Sequence, residues 1–208
     1  IAGDALTEGV RNVALGYSAL GADTLGSRSV AIGPFALVNQ NFTTATNVYN
    51  VAVGYDAGVS VTTGVNNTIL GGLAGDALTD ADQNVAVGTF TLSSDTLGSR
   101  TTAIGYGALF AQNFTTATNS SNTAVGFNAG TSVTTGVNNT FIGSNAGEVV
   151  TTGTRNTFLG QSVGSSMTTG SKNTIIGRFS GNSGGLDIRT SSNNIVLSDG
   201  DGNPRVIV

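Results

Sequence analysis

The chain has 208 residues, only 10% of them charged, with 31 Gly, two Pro, one Met, no Trp, no His and no Cys, and a net charge of −4. Without His or Cys, and with Glu only at Glu8 and Glu148, Ser–His–Asp triads, thiolate metal sites and disulfides are excluded. An acidic chain whose few Arg are scattered offers no stripe to displace counterions from phosphates, so nucleic acid is not expected as a partner; nor does any apolar run reach membrane length, so no membrane insertion is expected in this segment.

The first element is Asn12-Val-Ala-Leu-Gly16, which returns as Ser29-Val-Ala-Ile-Gly33, Asn50-Val-Ala-Val-Gly54 and Asn67-Thr-Ile-Leu-Gly71. Gly88, Gly105, Gly126, Gly143, Gly160, Gly177 and then Ser198 continue the frame, at steps of 17 residues with 21 at three places. One short strand signal per step predicts an all-β fold: a parallel β-solenoid, a β-roll or β-helix, of about eleven coils. Residues 3–74 realign with 75–146 at an offset of 72, a duplicated block, and further coils fill 147–198. Residues 1–198 therefore read as one repetitive domain, on the order of 50 Å long at about 4.8 Å per rung.

Side chains alternate along a strand, so the two residues flanking the middle of each pentapeptide share a face. Val30, Ile32, Val51, Val53, Leu70, Val87, Ile104, Val125 and Ile142 are assigned to the coil interior. The middle residues are apolar too: Ala14, Ala31, Ala52, Ile69, Ala86, Ala103, Ala124, Phe141, Phe158 and Ile175. A strand apolar on both sides is buried on both sides. A narrow coil covers one face only, so these middle residues are expected to pack against another copy of the chain.

Asn opens most pentapeptides, and stacked coils would align these amides into a ladder. Tyr17, Phe35, Tyr55, Phe90, Tyr106 and Phe127 follow the coil Gly closely and read as plugs of the coil or of an interchain groove at the strand end, in preference to a sugar-stacking platform. Two of the 21-residue units carry the same insertion, Asn41-Phe-Thr-Thr-Ala-Thr-Asn47 and Asn113-Phe-Thr-Thr-Ala-Thr-Asn119. Such turns are expected to project from the rod, which makes Asn41, Phe42, Thr43, Asn47, Asn113, Phe114, Thr115 and Asn119 the candidate receptor contacts. Asp4 recurs as Asp76 and Asp23 as Asp95, and these read as turn formers rather than a catalytic pair. Near the end, Asp199-Gly-Asp201-Gly-Asn203 has the alternating oxygen donors of a calcium loop but no closing Glu; a terminating turn is the preferred reading, with Asp199, Asp201 and Asn203 the only metal candidates. Residues 199–208 are taken as that turn and a linker to a C-terminal domain beyond.

Ser29-Val-Ala-Ile-Gly33 and its relatives resemble the head repeat of trimeric autotransporter adhesins. The alternation of Asn122-Thr-Ala-Val-Gly126, Thr134-Thr-Gly136 and Asn139-Thr-Phe-Ile-Gly143 resembles bacteriophage tail fibre repeats more closely, since the 17- and 21-residue coils exceed the usual adhesin repeat. Residues 193–205 resemble the stretch that precedes a trimerisation domain in such fibres. The resemblance implies a homotrimeric, extracellular fibre segment on a virion, a spacer with a surface for a host glycan or protein. It implies no cofactor and no catalysis. An adhesin head on a bacterial surface and a polysaccharide-cleaving tailspike are the rival expectations.

Overall fold

The computed structural model describes residues 1–207; Val208, the last residue of the expected linker, lies outside them. Among the described residues there is no helix. Eleven parallel strands, from Val13–Leu15 to Ile195–Ser198, form one sheet closed by the antiparallel strand Pro204–Ile207. The register is in frame throughout: Ala14 pairs with Ala31, Ala31 with Ala52, Ala124 with Phe141, and Ile175 with Val196. The chain is thus a parallel β-solenoid of about eleven turns, the architecture that the period predicts.

Each strand leaves the sheet through the recurring Gly. Gly33 has φ 125°, and a Cβ on it would lie 2.4 Å from the carbonyl oxygen of Gly54 on the next rung. Only Gly meets both conditions, which is why it recurs at every rung before the last, where Ser198 takes the position. Just beyond, the second and fourth residues of the corner are left-handed as well, as at Phe35 (φ 60°) and Leu37 (φ 50°). Roughly 1–2 kcal/mol of strain per such non-Gly residue is offset because the twisted backbone bonds its neighbours: Phe35 N–H donates to the Tyr17 carbonyl at 2.8 Å.

The sheet faces are the reverse of the sequence expectation. Ala31, Ala52, Ile69, Ala86, Ala103, Ala124, Phe141, Phe158 and Ile175 are fully buried inside their own chain's coil, with Ala14 half-buried at the first rung. Val30, Ile32, Val51, Val53, Leu70, Val87, Ile104, Val125 and Ile142 point outward and stay partly or fully open. The physical reason is the size of the lumen. A three-residue strand sends one side chain inward, and the opposite wall already contributes residues such as Leu20, Leu37, Leu92 and Leu109. Where the wall brings Leu, the strand brings Ala, as in Ala31 with Leu37. Where the strand brings Ile or Phe, the wall brings Gly: a Cβ on Gly147 would sit 2.7 Å from the Phe141 ring, and one on Gly164 only 2.4 Å from Phe158. Close packing demands this exchange of volume across the lumen.

The amide ladder is present and buried. Oδ1 of Asn67 accepts from the Asn84 N–H at 2.9 Å while its Nδ2 donates to the Ala81 carbonyl at 2.7 Å, and the same pattern runs from Asn122 through Asn139, Asn156 and Asn173 to Asn194. Each amide thereby satisfies a corner of backbone that the turn would otherwise leave unpaired. At Ser29 and Thr101, which open two of the 21-residue coils, the ladder lacks its amide. Gln40 and Gln112 fill the gap: Asn50 Nδ2 donates to Gln40 Oε1 at 2.9 Å, and Asn122 Nδ2 to Gln112 Oε1 at 2.8 Å.

Candidate functional site

The two inserted turns are folded onto the rod rather than projected from it. Thr46–Asn47 pairs in parallel with Gly26–Ser27, and Thr118–Asn119 with Gly98–Ser99, so each insertion continues a second, short sheet. Phe42 and Phe114 are 7% exposed, which removes both rings as contact residues. A buried carboxylate holds each turn in. Oδ1 of Asp23 accepts from the N–H groups of Gly26 (3.0 Å) and Phe42 (3.1 Å), and its Oδ2 from Gln40 Nε2 (2.6 Å). Asp95 binds Gly98, Phe114 and Gln112 in the same way, and desolvation by burial raises its pKa above the ordinary carboxylate value. Asn41, Thr43, Asn47, Asn113, Thr115 and Asn119 remain exposed, at two levels of the rod.

Asp199, Asp201 and Asn203 make a hairpin turn. The Asp199 carboxylate accepts from the N–H groups of Asp201 (3.0 Å) and Asn203 (2.9 Å) and from Arg205 Nε (3.0 Å). Asn203 aims its amide nitrogen, a donor, at the same carboxylate. The hydrogen bond from the Asn203 backbone, with those from the other groups, holds the Asp199 pKa at about 2. Its oxygens are committed to the turn, and Ile195–Ser198 returns directly as Pro204–Ile207.

A second hairpin was not expected. Asn182–Ser183 pairs antiparallel with Leu186–Asp187 around Gly184 and Gly185, and the Gly-Gly pair was the available signal for it. Beside this hairpin Ser166, Thr168, Asp187, Arg189, Thr190 and Ser191 line an open polar cleft of about 390 Å³. Arg189 Nη2 stands 2.8 Å from Asp187 Oδ2, and its hydrogen bonds lower the Asp187 pKa.

Two outer features also differ from expectation. Five of the eight cations, Arg11, Arg28, Arg100, Arg155 and Lys172, occupy the left-handed position just before the ladder residue, and so fall in one column along the rod. Nor do the aromatics plug the coil of their own chain. Tyr17, Tyr55, Tyr106 and Phe127 are about half exposed or more, and Phe35 stands edge-on between Tyr17 and Tyr55 at 5.2 and 6.3 Å.

A further uncovered feature is the outer sheet face. One column runs Leu15, Ile32, Val53, Leu70, Val87, Ile104, Val125, Ile142, Leu159, Ile176 and Leu197, aliphatic at every rung. Leu15 is 65% exposed, Leu159 44% and Ile104 37%. The parallel column beside it carries only Val, Thr and Ile, so no charge interrupts the face. No family model, curated protein or solved structure matches the chain.

Proposed function

We propose that the chain is a shaft segment of a homotrimeric fibre of the bacteriophage tail fibre kind, working outside the cell as a spacer that also presents a surface to the host. The observation that supports this is the uncovered sheet face. An aliphatic column that continues over eleven rungs is far longer than the isolated apolar residues that a monomer tolerates on its surface. A second copy of the chain is the covering that a uniform, repeating face fits, because its period matches by construction. The number of copies, three, and the fibre role come from the resemblance of the repeats. Neighbouring chains then meet through the residues flanking each buried Ala, not through the Ala itself.

Sedimentation of the chain at micromolar concentration tests this reading, with an expected mass three times the 20.7 kDa of one chain. Ile104→Asp combined with Leu159→Asp should leave β-structure intact and release folded monomers. Ala103→Asp should instead unfold the chain, since it buries an unpaired charge in the lumen. A wild-type chain that sediments as a stable folded monomer would falsify the proposal.

A further inference from the structure

The second copy of the duplicated block contains a cleft whose lining residues the first copy does not share. Phe90, Tyr106, Gly107, Phe110, Asn128 and Thr131 line about 210 Å³ of space on the outer edge of the coils. Phe90 meets Tyr106 edge-on at 5.8 Å and Phe110 at 6.5 Å, and Tyr106 stacks on Phe127 at 5.5 Å. The offset of 72 relates the lining residues to Ser18, Pro34, Phe35, Val38, Asp56 and Val59, so every one of the six differs between the copies. The inserted turns, Gln40 to Asn47 and Gln112 to Asn119, are meanwhile identical. In the first copy Phe35 fills the middle of the aromatic column. Gly107 removes that ring, and a Cβ on it would lie 2.5 Å from Asn128 Oδ1. The backbone does not require Gly here, for Phe35 holds φ 60° where Gly107 holds 63°. What Gly107 supplies is space beside the Asn128 amide and the Thr131 hydroxyl.

We propose that this cleft binds a single ring of an uncharged saccharide. Three requirements of such a ligand meet in it. Sugar rings present apolar C–H faces, and the exposed rings of Tyr106 and Phe110 offer matching surfaces. Sugar hydroxyls need donors and acceptors, and among the described residues no hydrogen bond engages the Asn128 amide or the Thr131 hydroxyl. No carboxylate, Lys or Arg lines the cleft, and the first copy carries Asp56 at the place of Asn128, so the second copy has a neutral amide where the first has a carboxylate. A charged ligand finds no complement there. The volume is below the roughly 300 Å³ at which clefts for drug-sized ligands begin, in keeping with one sugar unit. All six residues belong to one chain, so the site does not rest on the fibre reading.

The test uses the intact assembly and a panel of glucose, galactose, mannose and N-acetylglucosamine oligosaccharides of two to six units, read by saturation-transfer NMR and titration calorimetry. At least one is expected to bind with a Kd of about 1 mM or tighter per site, with transfer from the Tyr106 and Phe110 ring protons. Phe110→Ala should weaken it about tenfold, and Gly107→Phe, which restores the ring of the first copy, should abolish it while the chain stays folded, at a slightly lower melting temperature because a non-Gly residue then holds φ 63°. Tyr55→Ala, in the first copy, should leave binding as it was. The proposal is overturned if no oligosaccharide of the panel binds, or if Gly107→Phe binds as the wild type does. It is equally overturned if Phe110→Ala dissociates the assembly, because the cleft is then an interchain contact.

Discussion

Asp95 is fully buried, and its hydrogen-bond partners are neutral: the backbone of Gly98, Phe114 and Thr96 and the Gln112 amide. That chain of hydrogen bonds has a direction. Asn122 donates to Gln112, and Gln112 donates to Asp95, so the last member must be an acceptor on both oxygens. Asp95→Asn removes the buried charge but sets one amide nitrogen against another. It should therefore destabilise the fold by roughly 1–3 kcal/mol, the cost of a buried polar group without a partner. The pH dependence separates the two effects. Burial raises the folded-state pKa above the unfolded one, so the protonated acid is favoured in the folded state. The contribution of this group to stability is then full below about pH 4 and is lost as pH rises through the raised folded-state value. Thermal melts between pH 4 and pH 7 should show that slope in the wild type and its absence in Asp95→Asn. Equal slopes would mean that Asp95 does not titrate in this window.

At the scale of one coil, stability lies in the matching of volumes across the lumen. Phe141 faces Gly147 where Ala103 faces Leu109, two ways of filling the same space. Phe141→Ala should cost about 3–5 kcal/mol, as large core truncations do. Adding Gly147→Leu to it should restore part of the loss, since Leu109 already holds the left-handed conformation that a Leu at 147 would need (φ 51° against 62°). Gly147→Leu alone should be strongly destabilising, because its side chain would enter the Phe141 ring. Chemical denaturation of the four proteins closes the cycle, and additive effects of the two changes would show that these positions do not share one space.

Over the whole molecule every rung contacts only its neighbours, so a single chain is a one-dimensional stack with a long apolar flank. If copies cover that flank, folding and assembly are linked, and the melting temperature should rise with protein concentration. Measurements over a hundredfold dilution series should show this in the wild type. They should show a lower, concentration-independent melting temperature in Ile104→Asp with Leu159→Asp. A wild type whose melting ignores concentration across the series, with monomers in sedimentation, would count against any assembly through the sheet. The exposed Asn and Thr of the inserted turns repeat at two levels, which an assembly of three would present six times.

The period by itself determined the coil, the rung spacing, the in-frame register and the buried amide ladder, because each follows from stacking identical units on one another. Asn67 and Asn84 must superpose if their strands do. The sequence also held the rule for the interior, since a Leu four residues past a coil Gly always meets Ala and an Ile or Phe always meets Gly there, but that rule has meaning only once the two walls are known to face each other. A three-residue strand such as Val30–Ile32 is apolar on both sides, and alternation is symmetric between them. Closure of the coil broke the symmetry, because its lumen admits one side chain from each strand and leaves the flanking pair outside. Closure likewise decided the fate of the inserted turns and the aromatic edge. Local sequence gives Phe42 as a loop residue and Tyr106 as a strand-end residue; only the fold sets a buried Asp23 where it draws the first inward, and sets Gly107 where its missing ring leaves the second beside open space.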